Sequence, residues 1–216
     1  MEALVANQLS SADLARRGDQ FLQEGARSEA IAHYRAALEL DTTRPDTWYN
    51  LAWAYQCYVF QTCNGINIGD RLTDNAMAPD DYRFHDVFHY AYVAILGWSP
   101  VTRSLFRLKR KSMPVIDEVQ DGARAKLIEE GVATWIFGQA VEMDFFRELK
   151  SGELPFYILK QVRQFVSGYE AEHCPTWLWE EAILQGYAAF RYLRENRRGT
   201  IVLDVEGRQL KIETLP

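Results

Sequence analysis

The sequence predicts a mainly α-helical protein: a helical bundle preceded by a helical hairpin and carrying a small β-hairpin element, about 59–69 with 200–214. Three observations carry this. Apolar residues recur at helical spacing through most of the chain. A shift of 34 residues superposes Leu14 on Trp48, Gly18 on Ala52 and Phe21 on Tyr55. Alternation of apolar and polar residues is confined to two short stretches, each interrupted by a turn dipeptide, Asn64-Gly65 and Glu206-Gly207. The expected division is 1–58 and 59–216.

Composition sets the class. With 48% apolar and 25% charged residues in 216, the chain is that of a folded globular protein. No apolar run approaches the length needed to span a bilayer, and the start, with Glu2, Asp13 and no basic segment leading into an apolar one, does not read as a signal peptide. A cytoplasmic location without membrane attachment is expected. The net charge of −6 gives no global attraction to nucleic acid or anionic membrane, so an anionic ligand must be met locally. Cys57, Cys63 and Cys174 lack the number and spacing of a disulfide framework or a structural zinc site and are expected to be buried small hydrophobes.

In chain order, Ser10, Ser11 or Asp13 can cap a first helix that presents Leu14, Phe21 and Leu22 and ends at Gly25. A second helix, about Ser28 to Leu40, carries Ala30, Ile31, Tyr34, Ala37 and Leu38 on one stripe. Leu14, Gly18, Phe21, Ala30, Tyr34 and Ala37, followed by Trp48, Leu51, Ala52 and Tyr55, resemble the tetratricopeptide repeat. About one and a half copies are visible, fewer than the roughly three that a free-standing solenoid needs. Such a module either pads the next domain or binds a protein partner through 10–58.

Asn64-Gly65, flanked by β-branched and aromatic residues, predicts a strand pair, and 200–214 predicts a terminal hairpin able to pair with Ile66 to Ile68. Between them the chain reads as helices at Tyr82–Leu96, closed by Gly97, at Val101–Arg110, and from Val115 to about Phe146 as one long helix. Leu154–Gly168 and Pro175–Glu195 complete the set.

Chemistry-bearing residues concentrate between Arg83 and Glu130. His85 and His89, four apart on a predicted helix, project from one face and can share a metal ion; Asp86 lies between them. The resulting His-Asp-x-x-His is only loosely similar to the zinc-protease motif, because Asp is one methylene shorter than the general-base Glu. Phe84, Val87, Phe88, Tyr92 and Val93 surround the pair, so either ring can equally be a core residue bonded to a carboxylate or a backbone carbonyl. Glu129 and Glu130 stand among Leu127, Ile128, Val132, Ala133 and Trp135, so at least one faces inward and must meet an Arg, a His or a cation. Glu118, Asp121 and Glu129 fall near one stripe of the long helix, which suits a hard cation holding phosphate oxygens or an ion-pair network with Arg124. Arg103, Arg107, Lys109, Arg110 and Lys111 put five charges in nine residues, a run that reads first as a solvated helix face; as a second reading the three arginines share one face and, with Arg124 and Lys126, suit phosphate or an acidic partner surface.

Taken together, NGINIGDRLTDN, YRFHDVFHYAYVAILGWSPVTRSLFRLKRKS and DEVQDGARAKLIEEG resemble the MazG-like nucleotide pyrophosphohydrolase family, in the region that follows the catalytic helices of its longer members. The similarity runs weakly through WLWEEAILQGYAAFRYLRENRRGTIVLDV. It implies an all-α scaffold associated with Mg²⁺-dependent cleavage of nucleoside triphosphates, Mn²⁺ or Zn²⁺ being the alternatives. Glu118-Val119-Gln120-Asp121 fits the family's Glu-x-x-Asp pattern, but no Glu-x-x-Glu precedes it. Two roles follow from that departure. Either 83–130 carries its own site, with Glu129, Glu130 and Asp86 as catalytic groups and His85, His89, Glu118 and Asp121 as metal ligands, or the region is an accessory or adaptor domain, a homodimer included.

Overall fold

The computed structural model describes residues 9–24, 26–55, 59–76, 79–108 and 113–213. It divides into two compact units, Met1–Tyr58 and Val59–Pro216. Gly25, Cys57, Lys109, Arg110 and Lys111, which figure in the sequence reading, lie outside the described residues, as do the side chains of Ala52 and Tyr55.

The first unit is built from α1 (Ser11–Gln23), α2 (Arg27–Leu40) and α3 (Pro45–Tyr55). Ser10 caps α1 reciprocally with Asp13, each side chain taking the other's backbone N–H, which satisfies two of the orphan donors at the helix start. Pro45 opens α3, where its missing N–H costs nothing. Ala30, Tyr34, Leu38 and Leu51 form the core, with Phe21, Leu22 and Ile31 against it. Asp19 Oδ1 accepts from both Tyr34 O–H and Asn50 Nδ2, each at 2.8 Å, and so ties α1 to α2 and α3. Gly18 lets the Tyr34 ring lie flat against α1: a Cβ there would meet the ring at 2.5 Å.

The second unit begins with the hairpin of β1 (Val59–Cys63) and β2 (Ile66–Leu72). Its turn places Asn64 and Gly65 at φ 52° and 75°, the paired left-handed conformations that a two-residue hairpin loop with the right twist requires. A 3₁₀ turn at Tyr82–Phe84 leads into α4 (Asp86–Ala91), which continues as a π-helical stretch, Tyr92–Leu96, before Gly97 turns left-handed at φ 72°. Next come α5 (Pro100–Leu105), α6 (Pro114–Asp121), α7 (Ala123–Val141), α8 (Phe156–Phe165) and α9 (Thr176–Asn196), then the closing hairpin of β3 (Thr200–Asp204) and β4 (Gln209–Glu213). The core is aromatic: Phe88 stacks on Tyr187 at 4.4 Å between centroids, and Tyr92 and Trp98 both lean on Trp179. Gly186 admits α4 to α9, since a Cβ there would already touch Ala91 and Phe88 at 3.3–3.4 Å. Buried Arg83 bonds Asp74 at 2.6 Å and also pairs with Asp81, which Arg194 and Arg197 of the α9 end contact in turn.

Four expectations are corrected. The long helix from 115 breaks at Gly122, whose backbone is extended (φ −75°, ψ 177°) and where any side chain would strike the Glu118 carbonyl oxygen at 2.2 Å. The helix after Gly97 ends by Leu105. Each hairpin pairs only with itself among the described residues, so 200–213 does not extend the sheet at Ile66–Ile68. Cys63 is exposed, at the end of β1 beside the Asn64-Gly65 turn, and Cys174 is half-buried in the loop that follows Glu170–His173, so neither is a buried core residue.

Replacing Gly18 by Ala adds about 1 kcal/mol of helix propensity but overpacks against Tyr34, a cost of about 1–3 kcal/mol. A net loss of stability, read as a lower urea midpoint for the first unit, is the expected result.

Candidate functional site

Five of the charged or imidazole side chains singled out in the sequence come together where α4 faces the middle of α7. Glu129 is fully buried on α7 and has its oxygens filled: Oε1 accepts from His89 Nδ1 at 2.6 Å and Ser99 Oγ at 2.7 Å, and Oε2 from the Val101 N–H at 2.8 Å. Ser99 is the N-cap of α5 and accepts the Thr102 N–H at 2.9 Å, so the carboxylate also sits at the positive end of that helix. These donors explain how a charge survives where water is excluded.

The imidazoles are oriented by what their Nδ1 atoms touch. His85 Nδ1 lies 2.9 Å from the Tyr82 carbonyl oxygen and His89 Nδ1 2.6 Å from Glu129; neither acceptor can donate, so both Nδ1 atoms carry the proton. Tyr82 also stacks on the His85 ring at 4.3 Å. Both Nε2 atoms therefore face the same space with lone pairs to share. Donor atoms of His85, His89 and Glu130 all lie within 4.8 Å of one another. Glu130 Oε2 is 3.4 Å from His89 Nε2 and 3.8 Å from His85 Nε2, and Asp86 Oδ1 is 3.3 Å from His85 Nε2. His89 Nε2 is buried without a hydrogen-bond partner. Three atoms that would all accept are turned on one point, with Asp86 Oδ1 beside His85, an arrangement that repels itself unless protons or a cation stand between them.

A proton can do that work. Burial opposes a charged His89, but the adjoining Glu129 carboxylate, aided by Glu130, overrides it and lifts the ring to about 10. Burial, with His89⁺ as neighbour, pushes His85 down against the pull of Asp86 and Glu130. Glu130 is lowered: burial would raise it, but its contact with His89 prevails. Burial raises Tyr82 to about 12, so it stays a neutral stacking partner.

The remaining candidates lie elsewhere. Arg103, Arg107, Glu118, Asp121 and Lys126 line a groove of about 620 Å³ between α5 and α6, together with Ser104 and Asp117. None of His85, His89 or Glu130 lines it. Arg103 is engaged by Asp121 at 2.6 Å and by the Gly97 carbonyl at 3.1 Å, and Lys126 donates to Ser104 at 2.8 Å. The break at Gly122 puts Glu118 and Asp121 on α6, so they do not form one stripe with Glu129 on α7. Arg124 is exposed and not part of the groove, and Arg110 lies outside the described residues. The sequence reading missed Ser99, the Val101 amide, Gln61 and Tyr90. Only Ser99 had a local signal, Ser followed by Pro at a helix start, and that signal says nothing of Glu129.

The geometry defines a helical domain with a buried carboxylate behind one imidazole and two imidazole nitrogens converging on a second carboxylate, a set of atoms of the kind that ligate metal ions. Residues 47–216 match the family model of the MazG C-terminal domain, and the chain belongs to that family. Residues 18–56 match the TPR repeat. No curated protein and no solved structure matches the chain. Among the described residues no helix is long and apolar enough to cross a membrane.

Because His89 is raised from its ordinary range near 6.5 to about 10, its stabilising pair with Glu129 is fully present below pH about 6.5 and is lost as pH rises through about 10. Metal-free protein is expected to lose melting temperature across that window, and Glu129→Gln to flatten the slope. Glu129→Ala strands three buried donors and is expected to cost at least about 3 kcal/mol in chemical denaturation.

Proposed function

We propose that the second unit is a metal-dependent hydrolase domain acting on a phosphate-bearing ligand, with His85 Nε2, His89 Nε2 and Glu130 holding a divalent ion. The convergence of these donors, with both Nδ1 atoms tied to acceptors behind them, carries the reading; backing of this kind fixes ring orientation and sharpens ligand basicity in metal sites. Two nitrogens and one carboxylate suit Zn²⁺ or Mn²⁺ better than Mg²⁺, which prefers oxygen ligands and retained waters. The Mg²⁺ expected from the resemblance therefore does not fit this donor set, and Glu118 and Asp121, which would suit it better, share their groove with Arg103 and Lys126.

A divalent ion held by His85, His89 and Glu130 would supply Lewis acidity toward a phosphoryl oxygen and lower the pKa of water. Asp86, beside the His85 nitrogen, is placed to accept a proton from the attacking water. Glu130, half-exposed, marks the open side. Glu129 acts through His89 as a positioning residue, because its oxygens are occupied. Arg103, Arg107 and Lys126 offer positive charge for the distal part of a phosphate-bearing ligand, with Lys126 one turn from Glu130 on α7.

A second reading is favoured by the TPR match and by the exposure of Leu40 and Trp48, at 62% and 52%. In it the first unit recruits a protein, a second copy included, and the second unit is a non-catalytic regulator. Leu40→Ser with Trp48→Ala is then expected to change assembly in sedimentation while metal content stays constant.

Elemental analysis of protein purified without chelator is expected to give about one transition-metal ion per chain under this reading. His85→Ala and Glu130→Gln lose it, and chelator lowers the melting temperature of the wild type alone. A panel of nucleotides with Zn²⁺, Mn²⁺ or Mg²⁺ tests hydrolysis; absence of both metal and turnover would overturn the assignment.

A further inference from the structure

We propose that Gln61 of β1 is a positioning residue for the same centre: it determines which oxygen Asp86 presents beside His85. The proposal rests on the metal reading above. Asp86 and Tyr90 are four residues apart on α4 and so share a face. The Gln61 amide bridges them, accepting the Tyr90 O–H at Oε1 and donating from Nε2 to Asp86 Oδ2. The orientation of the amide is forced, since a carboxylate can only accept and the phenol is the available donor. Asp86 Oδ2 is thereby occupied, and Oδ1 is left 3.3 Å from His85 Nε2.

That remaining contact has a chemical requirement. His85 Nε2 bears a lone pair when Nδ1–H is given to the Tyr82 carbonyl, and a carboxylate oxygen facing a lone pair is repulsive without a proton or a cation between them. Locking Asp86 in this rotamer therefore favours an ion, or a water bound to one, at the mouth of His85.

Gln61 is not needed to staple the hairpin down. Val59 and Ile68 already pack on the core, and Gly69, at φ 69°, brings the backbone so close to α5 that a Cβ would lie 2.9 Å from Leu105 Cδ2. The ladder register shifts between Val59 and Gln61, an irregularity of the kind that re-aims one side chain where an uninterrupted strand would send it elsewhere. Glu at this position would set a second carboxylate against Asp86, and Leu would leave Oδ2 without its donor.

The test uses the full chain, freed of metal and titrated with Co²⁺ alone. The visible d–d bands report the ligand set, and competition with a chelator reports affinity. Wild type is expected to bind one equivalent, lost in His85→Ala. Gln61→Leu is expected to bind about 10–100-fold more weakly, the usual effect of removing an outer-shell partner, and with altered bands; Gln61→Glu alters the bands as well. Thr62→Ala, on the exposed neighbour, behaves as wild type. Melting of the metal-free variants checks that each is folded. Should Gln61→Leu fail that check, Tyr90→Phe, which removes only the anchor of the amide, is expected to shift affinity and bands in the same direction. Wild-type Co²⁺ affinity and spectrum in the folded Gln61 or Tyr90 variant would overturn the positioning role and leave the metal reading standing. No Co²⁺ uptake by wild type would remove both.

Discussion

Glu129 joins three helices, α4, α5 and α7, through one fully buried carboxylate. It projects from α7, receives the imidazole N–H of α4 and the hydroxyl and amide at the start of α5, and has no contact with water. A carboxylate in that position costs several kcal/mol unless each oxygen is engaged, so the relative placement of α4, α5 and α7 is narrowly specified. Apolar packing alone tolerates small slides between helices; hydrogen-bond geometry at 2.6–2.8 Å does not. The consequence reaches the next residue of α7, because fixing His89 from behind also fixes where its other nitrogen points, toward Glu130 and His85.

The same geometry separates two kinds of acid on adjacent positions of one helix. Glu129 is enclosed and saturated, whereas Glu130 is half-exposed and meets the imidazoles at 3.4–3.8 Å. Sequence spacing could not assign these roles, since neighbours on a helix differ by about 100° in direction and which one faces inward depends on the helix phase. Of the four ligands expected from the sequence, His85 and His89 stand together with Glu130, whereas Glu118 and Asp121 lie in the separate groove.

Much of the fold was legible. The apolar stripes of α2 and α9, the Asn64-Gly65 turn and the 34-residue repeat each rest on local chemistry that a sequence displays directly. The failures are nonlocal or backbone-borne. Gly122 was read as one more residue of a long amphipathic helix; its extended backbone, against which a side chain would collide with Glu118, cannot be seen from composition. His85 and His89 stood out through their spacing, yet their partner Glu129 is 40 residues beyond His89, and only the packing of α4 against α7 brings the two together. Gln61 carried no signal at all, because a single amide on a short strand is indistinguishable from a solvated one until the strand is docked.

The π-helical stretch at Tyr92–Leu96 lies between His89 and Ser99, the two side chains that converge on Glu129 Oε1. A π turn is an α-helix with one residue too many, and it changes the angular phase of everything after it by about 100°. Without that extra residue α4 could continue as an ordinary helix, but Ser99 and the start of α5 would swing to another side of the axis. A one-residue deletion between Tyr92 and Leu96 would thus improve local helical geometry while taking the cap away from the buried acid. In this segment chain length, more than side-chain identity, sets where Ser99 meets the buried acid.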